Sequence, residues 1–99
     1  MKLFIDTSDN TKTIVGLDED RLEKPSDPDK SQQVLSLINQ ILKKNQKTIK
    51  DLTKIEVETG PGSFTGLRVG LAVANALGWA LKIPVNGKKP GQLVEPKYE

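Results

Sequence analysis

The 99-residue sequence contains neither cysteine nor histidine. Disulfide frameworks, thiolate nucleophiles and zinc fingers need cysteine, and Ser-His-Asp triads need histidine, so all of these are excluded. The usual transition-metal sites are excluded with them, and only a carboxylate-bound Mg²⁺ or Ca²⁺ stays open. We expect no catalytic residues, no metal site and no cofactor.

Apolar material is also scarce, because hydrophobic residues make up 35% of the chain and aromatic residues 4%. A domain of this size buries only about two-thirds of its unfolded surface, so help from a partner is indicated. The net charge of +2 is too small to indicate nucleic-acid binding by itself. Only three apolar residues follow Met1-Lys2 before Asp6, so no signal peptide is expected and a cytoplasmic, soluble protein is predicted.

The order of apolar runs and turn residues predicts an α/β fold. Residues 3–5, 11–17 and 21–24 are strand-like runs separated by polar turns, which indicates an antiparallel meander. Asp27 and Pro28 mark the start of a helix, and a second helix is predicted to run to about Lys82. With strands at 54–59 and 84–86, the elements follow the order β-β-β-α-β-α-β, a mixed sheet with the helices packed on it. A mobile polar tail is predicted for residues 88–99.

Between Leu67 and Leu81 the second helix is apolar except at Arg68 and Asn75. A run of roughly 15 residues is shorter than the about 20 that span a bilayer, so burial in protein is predicted. Positions 66, 70, 74 and 78 form one row of small residues, and Arg68 begins a second row that continues with alanine at 72, 76 and 80. Each interior glycine costs about 1 kcal/mol, which predicts a close approach by a sheet or another helix.

Two interpretations of this helix remain open. Too little chain is left to cover every side, which favours a protein–protein interface. The alternative is that both helices pack on the sheet and cover each other. The predicted interface comprises Val34, Leu37, Ile41, Arg68, Leu71, Ala74, Asn75 and Gly78.

Two turns carry residues that can bind an anion. One, at residues 6–8, follows the first strand. The other lies between the fourth strand and the second helix, where free amides and the helix dipole favour phosphate. Its third glycine is one position late for the dinucleotide fingerprint, and no Lys-Ser or Lys-Thr follows for a P-loop. Helix capping and an Asx turn are the favoured interpretations. The candidate anion or nucleotide site comprises Asp6, Thr7, Ser8, Gly60, Gly62 and Ser63.

A basic cluster follows the first helix, where it could contact tRNA or another polyanion. A solvated helix end is favoured, because no aromatic residue is interleaved to stack on bases. The cluster comprises Lys43, Lys44, Lys47, Lys50 and Lys54.

The segment at residues 60–68 reads GPGSFTGLR. It resembles the same segment in the TsaB (YeaZ) family, the dimerisation subunits of bacterial tRNA threonylcarbamoyladenosine synthesis. The first strand and turn at 5–8, the first helix from Ser31 and the segment at 80–85 are similar to that family too, so the resemblance covers residues 1–87 in register. Lys30 stands where family members commonly have histidine.

The resemblance implies the N-terminal lobe of an actin-like ATPase (ribonuclease-H-like) fold, with the second lobe absent. It implies a non-catalytic scaffold that binds a TsaD-like transferase and, indirectly, a TsaE-like ATPase. A helical interface of this kind suits a homodimer and a heterodimer equally. The alternatives from other classes are a small nucleotide-binding or phosphotransferase lobe and a homodimeric structural protein.

Overall fold

The computed structural model of the protein describes residues 1–97. Its strands form one mixed sheet in the spatial order β3-β2-β1-β4. The antiparallel meander consists of β1 (Lys2–Asp6), β2 (Lys12–Leu17) and β3 (Asp20–Pro25). The fourth strand, β4 (Lys54–Val57), pairs with β1 in parallel, so the predicted mixed sheet is confirmed.

Two helices cover one face of the sheet, α1 (Lys30–Lys44) and α2 (Phe64–Leu81). The first lies over β2 and β3 and the second over β1 and β4, with the two helices in contact. Alternate residues of the strands point into this layer, which is why Leu3 and Ile5 are fully buried while Phe4 is not. The core therefore lies between the sheet and the helix pair.

The residue that caps the start of α1 is not the predicted one. The side chain of Asp29, and not of Asp27, accepts a hydrogen bond from the amide of Gln32. Asp27 instead accepts one from the amide of Asp29, closing a turn around Pro28. Both carboxylates thus bond backbone amides, and the helix begins after the second of them. A 3₁₀ turn follows the helix at Ile49–Asp51.

The predicted last strand at 84–86 is reduced to a single bridge between Val85 and Ile55. Asn86 has a positive φ of 51°, which turns the backbone away from the sheet. Its side chain takes over the pairing, since it accepts from the amide of Val57 at 2.8 Å and donates to the carbonyl oxygen at 3.0 Å. A side-chain amide therefore replaces the backbone of a fifth strand.

The glycine row of α2 faces the protein's own sheet. A Cβ atom at Gly66 would collide with the carbonyl oxygen of Thr7, and one at Gly70 with the Thr7 hydroxyl. At Gly78 the collision would be with the side chain of Val85. The close approach predicted from the small residues is thus confirmed, and it is made by β1 and by the bridge residue.

α2 has 18 residues and a mean hydropathy of 1.3, so by length and composition it could cross a membrane. The prediction that its length excludes a span is therefore wrong. The same length and composition occur in core helices of globular proteins, so this property is weak support for a span. The inner side of α2 is apolar because its glycine row packs against the end of β1.

Lowering the pH is expected to remove a stabilising contact between β3 and the end of α1. The Asp20 carboxylate accepts hydrogen bonds from the Asn45 amide at 3.0 Å and from the Lys44 ammonium at 3.1 Å. These bonds, with that from Asn45 first, lower the pKa of Asp20 below its ordinary value of 3.8. Because the folded pKa lies below the unfolded one, the stabilisation is present above about pH 4 and is lost as the pH falls through the folded value.

The midpoint of urea unfolding, measured between pH 7 and pH 2, tests this expectation. The difference in unfolding midpoint between the unchanged protein and Asp20→Ala should be constant at neutral pH and shrink towards zero at the acidic end. A difference that does not depend on pH would show that Asp20 acts through packing and not through its charge.

Candidate partner-binding surface

Most of the residues predicted for the partner interface lie inside the chain itself. Ala74 and Gly78 belong to the row against the sheet, and Leu71 is 4% exposed. The predicted α1 residues, Val34, Leu37 and Ile41, are likewise in the core. These six residues are covered by the protein's own sheet and helices, so they do not form an exposed surface in this fold.

The second row of α2 is the one that faces outward. Arg68, Ala72, Ala76 and Ala80 are all exposed. We call the last three the alanine row. They lie four residues apart on one helix face, and their small side chains leave the helix backbone close to the surface. The glycine side of α2 is covered by the protein's own sheet, as the interpretation of self-covering helices predicts. The alanine side is exposed, so the interpretation of a protein–protein interface stays open for that side.

Large apolar side chains are exposed on both helices. On α2, Phe64 at its start is 53% exposed and Trp79, between Ala76 and Ala80 in the sequence, is 73% exposed, while Leu35 of α1 is 47% exposed. Exposed apolar surface of this kind is typical of a binding surface where it is contiguous. Phe64, Leu35 and Trp79 were not among the predicted interface residues.

Arg68 stacks within its own helix. Its guanidinium carbon lies 5.6 Å from the centre of the Phe64 ring, within the range of a cation–π interaction. Within residues 1–97 no carboxylate oxygen lies within 4 Å of its guanidinium. The charge of Arg68 is therefore presented beside the alanine row.

The candidate anion residues do come together, at the end of β1 and the start of α2. The amide of Ser63 donates to the carbonyl oxygen of Ser8 at 2.7 Å, and a Cβ at Gly62 would lie 2.6 Å from that oxygen. The Asp6 carboxylate accepts from the Ser8 amide at 2.9 Å and from its hydroxyl at 2.6 Å. Both loops are thus joined to each other.

Local hydrogen bonds occupy these groups. The Ser63 hydroxyl caps α2 by accepting from the amide of Gly66, and the Gly60 amide donates to the Glu58 carboxylate. Thr7 is fully buried and bonded to α2. The favoured interpretations, a helix cap and an Asx turn, are confirmed, and the nucleotide site stays a prediction.

Lys30 lies beside this junction. Its ammonium donates to the carbonyl oxygen of Asp9 at 2.8 Å. Partial burial lowers the pKa of Lys30, against the opposing effect of the nearby Asp9 and Asp6 carboxylates.

In residues 1–97 no cluster of three or more acidic side chains could hold a metal ion.

The predicted basic cluster is exposed throughout, as a solvated helix end would be. One of its members, Lys44, is engaged with Asp20 at 3.1 Å.

The described part of the predicted mobile tail is docked on α2. Val94 is 6% exposed, and the side chain of Asn75 bonds both its backbone groups. The amide of Lys97 also donates to the carbonyl oxygen of Thr59 at 2.7 Å. The prediction missed this contact because the tail is polar in composition, while a single buried valine anchors it. Tyr98 and Glu99, also predicted as tail, lie outside the described residues.

The sequence and the structure were each compared with known proteins, and the two comparisons agree. A family model described as TsaD, tRNA N6-adenosine threonylcarbamoyltransferase, matches residues 26–87, more than half of the chain. The tRNA threonylcarbamoyladenosine biosynthesis protein TsaB of Bacillus subtilis (strain 168) is 38% identical over 88 residues, which cover 85% of this chain and 38% of that protein.

Two solved structures share the fold. One, described as YeaZ from Pseudomonas aeruginosa, superposes with a TM-score of 0.72 at 25% identity and covers 85% of this chain and 41% of that one. The other is described as an uncharacterized protein with similarity to peptidase YeaZ from Pseudomonas aeruginosa, and its TM-score is 0.73, also at 25% identity. The predicted actin-like (ribonuclease-H-like) α/β lobe is confirmed.

The chain spans less than half the length of these proteins. A match of that extent fits the single N-terminal lobe that the sequence predicts. The chain therefore belongs to the TsaB (YeaZ) family, and its residues 26–87 carry the pattern that the TsaD model also describes.

Proposed function

We propose that this chain is a non-catalytic, cytoplasmic scaffold subunit that binds a TsaD-type transferase in the biosynthesis of tRNA threonylcarbamoyladenosine. The observation that carries the proposal is the exposed alanine row of α2, on a helix that also exposes Phe64 and Trp79. The name of the Bacillus subtilis relative supports the pathway, and the match to the TsaD model supports a partner of related fold.

The physical basis is helix packing across the row. Rows of residues four apart form ridges and grooves, and axes of packed helices lie about 8–10 Å apart, the shorter distances needing small side chains. Ala72, Ala76 and Ala80 therefore allow a partner helix to lie close to α2. Trp79, largely exposed on the same helix, is the kind of residue that dominates binding energy once it is desolvated.

The same row can serve two partners in turn. In the absence of the transferase, a second copy of this chain would cover the row and form a homodimer, which the transferase-type subunit would then replace. A TsaE-like ATPase would join only through the transferase. We propose no cofactor and no catalytic residue for this chain.

Replacing Ala76 by leucine is expected to weaken binding to a TsaD-type subunit at least tenfold. A leucine in the middle of the row holds the two helices apart, whereas the fold is unaffected because position 76 is exposed and leucine is a good helix former. Titration calorimetry and co-purification with the transferase-type subunit measure the effect, and size-exclusion chromatography with light scattering measures the homodimer.

The matched control is Glu19→Leu, which adds the same side chain at the exposed turn between β2 and β3. This variant should bind like the unchanged protein. Equal affinity of Ala76→Leu and Glu19→Leu would exclude the alanine row as the contact. No binding by the unchanged protein would exclude the transferase-type partner.

A further inference from the structure

The docked tail lies on the flank of α2 that borders the alanine row. The Asn75 side chain donates to the carbonyl oxygen of Val94 at 3.0 Å and accepts from its amide at 3.1 Å. Val94 is buried, whereas its neighbour Leu93 is 67% exposed. The two bonds from Asn75 hold the buried valine against α2 and leave Leu93 on the outer side of the tail.

A pocket of about 220 Å³ opens between this tail and α2. A cavity of about 150 Å³ in another protein holds benzene, so this pocket has room for one large apolar side chain. Trp79 and Leu93, both largely exposed, form part of its wall. The residues that make it apolar and accessible are Ala76, Trp79, Ile83, Val85 and Leu93.

Two features indicate what occupies the pocket. Ala76 belongs both to the pocket wall and to the alanine row, so a helix seated on the row would pass the mouth of the pocket. Lys89 also lines the pocket, and no carboxylate oxygen within residues 1–97 lies within 4 Å of its ammonium. The complementary partner surface is therefore a large apolar side chain with a carboxylate beside it.

We propose that the docked tail is part of the partner-binding surface, and that its pocket receives one large apolar side chain from a helix of the transferase-type subunit. Asn75 is the positioning residue, because its amide holds Val94 and thereby places Leu93 next to Trp79. The assignment rests on the proposed function, since it extends the surface of the alanine row.

The test compares the affinity of Leu93→Ser and Asn75→Ala for the transferase-type subunit by titration calorimetry. Each variant should bind about fivefold more weakly. The double variant should be no weaker than either single one, because both changes remove the same contact. Leu35→Ser, which removes an exposed leucine of α1 that does not line the pocket, is the matched control, and any loss of affinity that it causes should add to that of Leu93→Ser.

Trp79 is the only tryptophan, so its fluorescence reports on the pocket directly. Binding should shift its emission to shorter wavelength in the unchanged protein and less in Leu93→Ser. Far-UV circular dichroism verifies that both variants are folded.

Wild-type affinity of both variants would overturn the assignment while leaving the alanine row as the contact. Tighter binding by Asn75→Ala would also overturn it, because the tail would then cover the surface instead of forming part of it. If Ala76→Leu binds normally as well, the proposed function fails along with this inference.

Discussion

Replacing Gly70 by leucine is expected to destabilise the protein strongly. A Cβ atom at this position would collide with the Thr7 hydroxyl and would lie 3.4 Å from the Ile5 side chain, so the leucine has no room between α2 and β1. Neither neighbour can move away, because both are fully buried. The expected loss is more than about 4 kcal/mol in the free energy of unfolding. A domain is stable by only about 5–15 kcal/mol, so a loss of this size removes a large part of the protein's stability.

Far-UV circular dichroism and urea unfolding measure this effect. The matched control is Ala72→Leu, which introduces the same side chain two residues further along α2 but on the exposed face. Ala72→Leu should unfold at nearly the urea concentration of the unchanged protein. A cooperative transition of Gly70→Leu at that same concentration would show that the glycine row does not pack on β1.

The contrast between these two positions shows what the sequence could predict. The spacing of small residues along α2 predicts two rows and a close approach to one of them. It does not predict which neighbour approaches, because a sheet and a partner helix favour the same residues. The structure resolves this, since the glycines meet Thr7 and Val85, and the alanines are exposed.

Elements that depend on local signals were predicted from the sequence. The meander and the helices follow from apolar periodicity, turn residues and capping side chains, all within a few positions of one another. Contacts between residues that are distant in the sequence were not predicted. Asn75 and Val94 are 19 positions apart and Asn86 and Val57 are 29 apart, so neither the docked tail nor the side-chain substitute for a strand could be predicted.

Replacing Thr7 by valine is expected to destabilise the protein by about 2 kcal/mol, within the range for a buried polar group that loses its partner. Thr7 is fully buried, and its hydroxyl lies between two backbone groups of α2. It donates to the carbonyl oxygen of Gly66 at 2.5 Å and accepts from the amide of Gly70 at 3.1 Å. Those are the two groups that an α-helix would join directly. Valine has the shape of threonine but leaves a methyl group between them.

Thr7→Ser separates the hydroxyl from the methyl group, because serine keeps the first and lacks the second. Removing one buried methyl group costs about 0.8 kcal/mol, so the serine variant should be more stable than the valine variant in urea unfolding. The reverse order would mean that Thr7 acts through packing alone. The expected order would assign Thr7, which the sequence placed in an anion site, to the attachment of α2 to the end of β1. That attachment determines which row of α2 faces the sheet, and so leaves the alanine row on the outside.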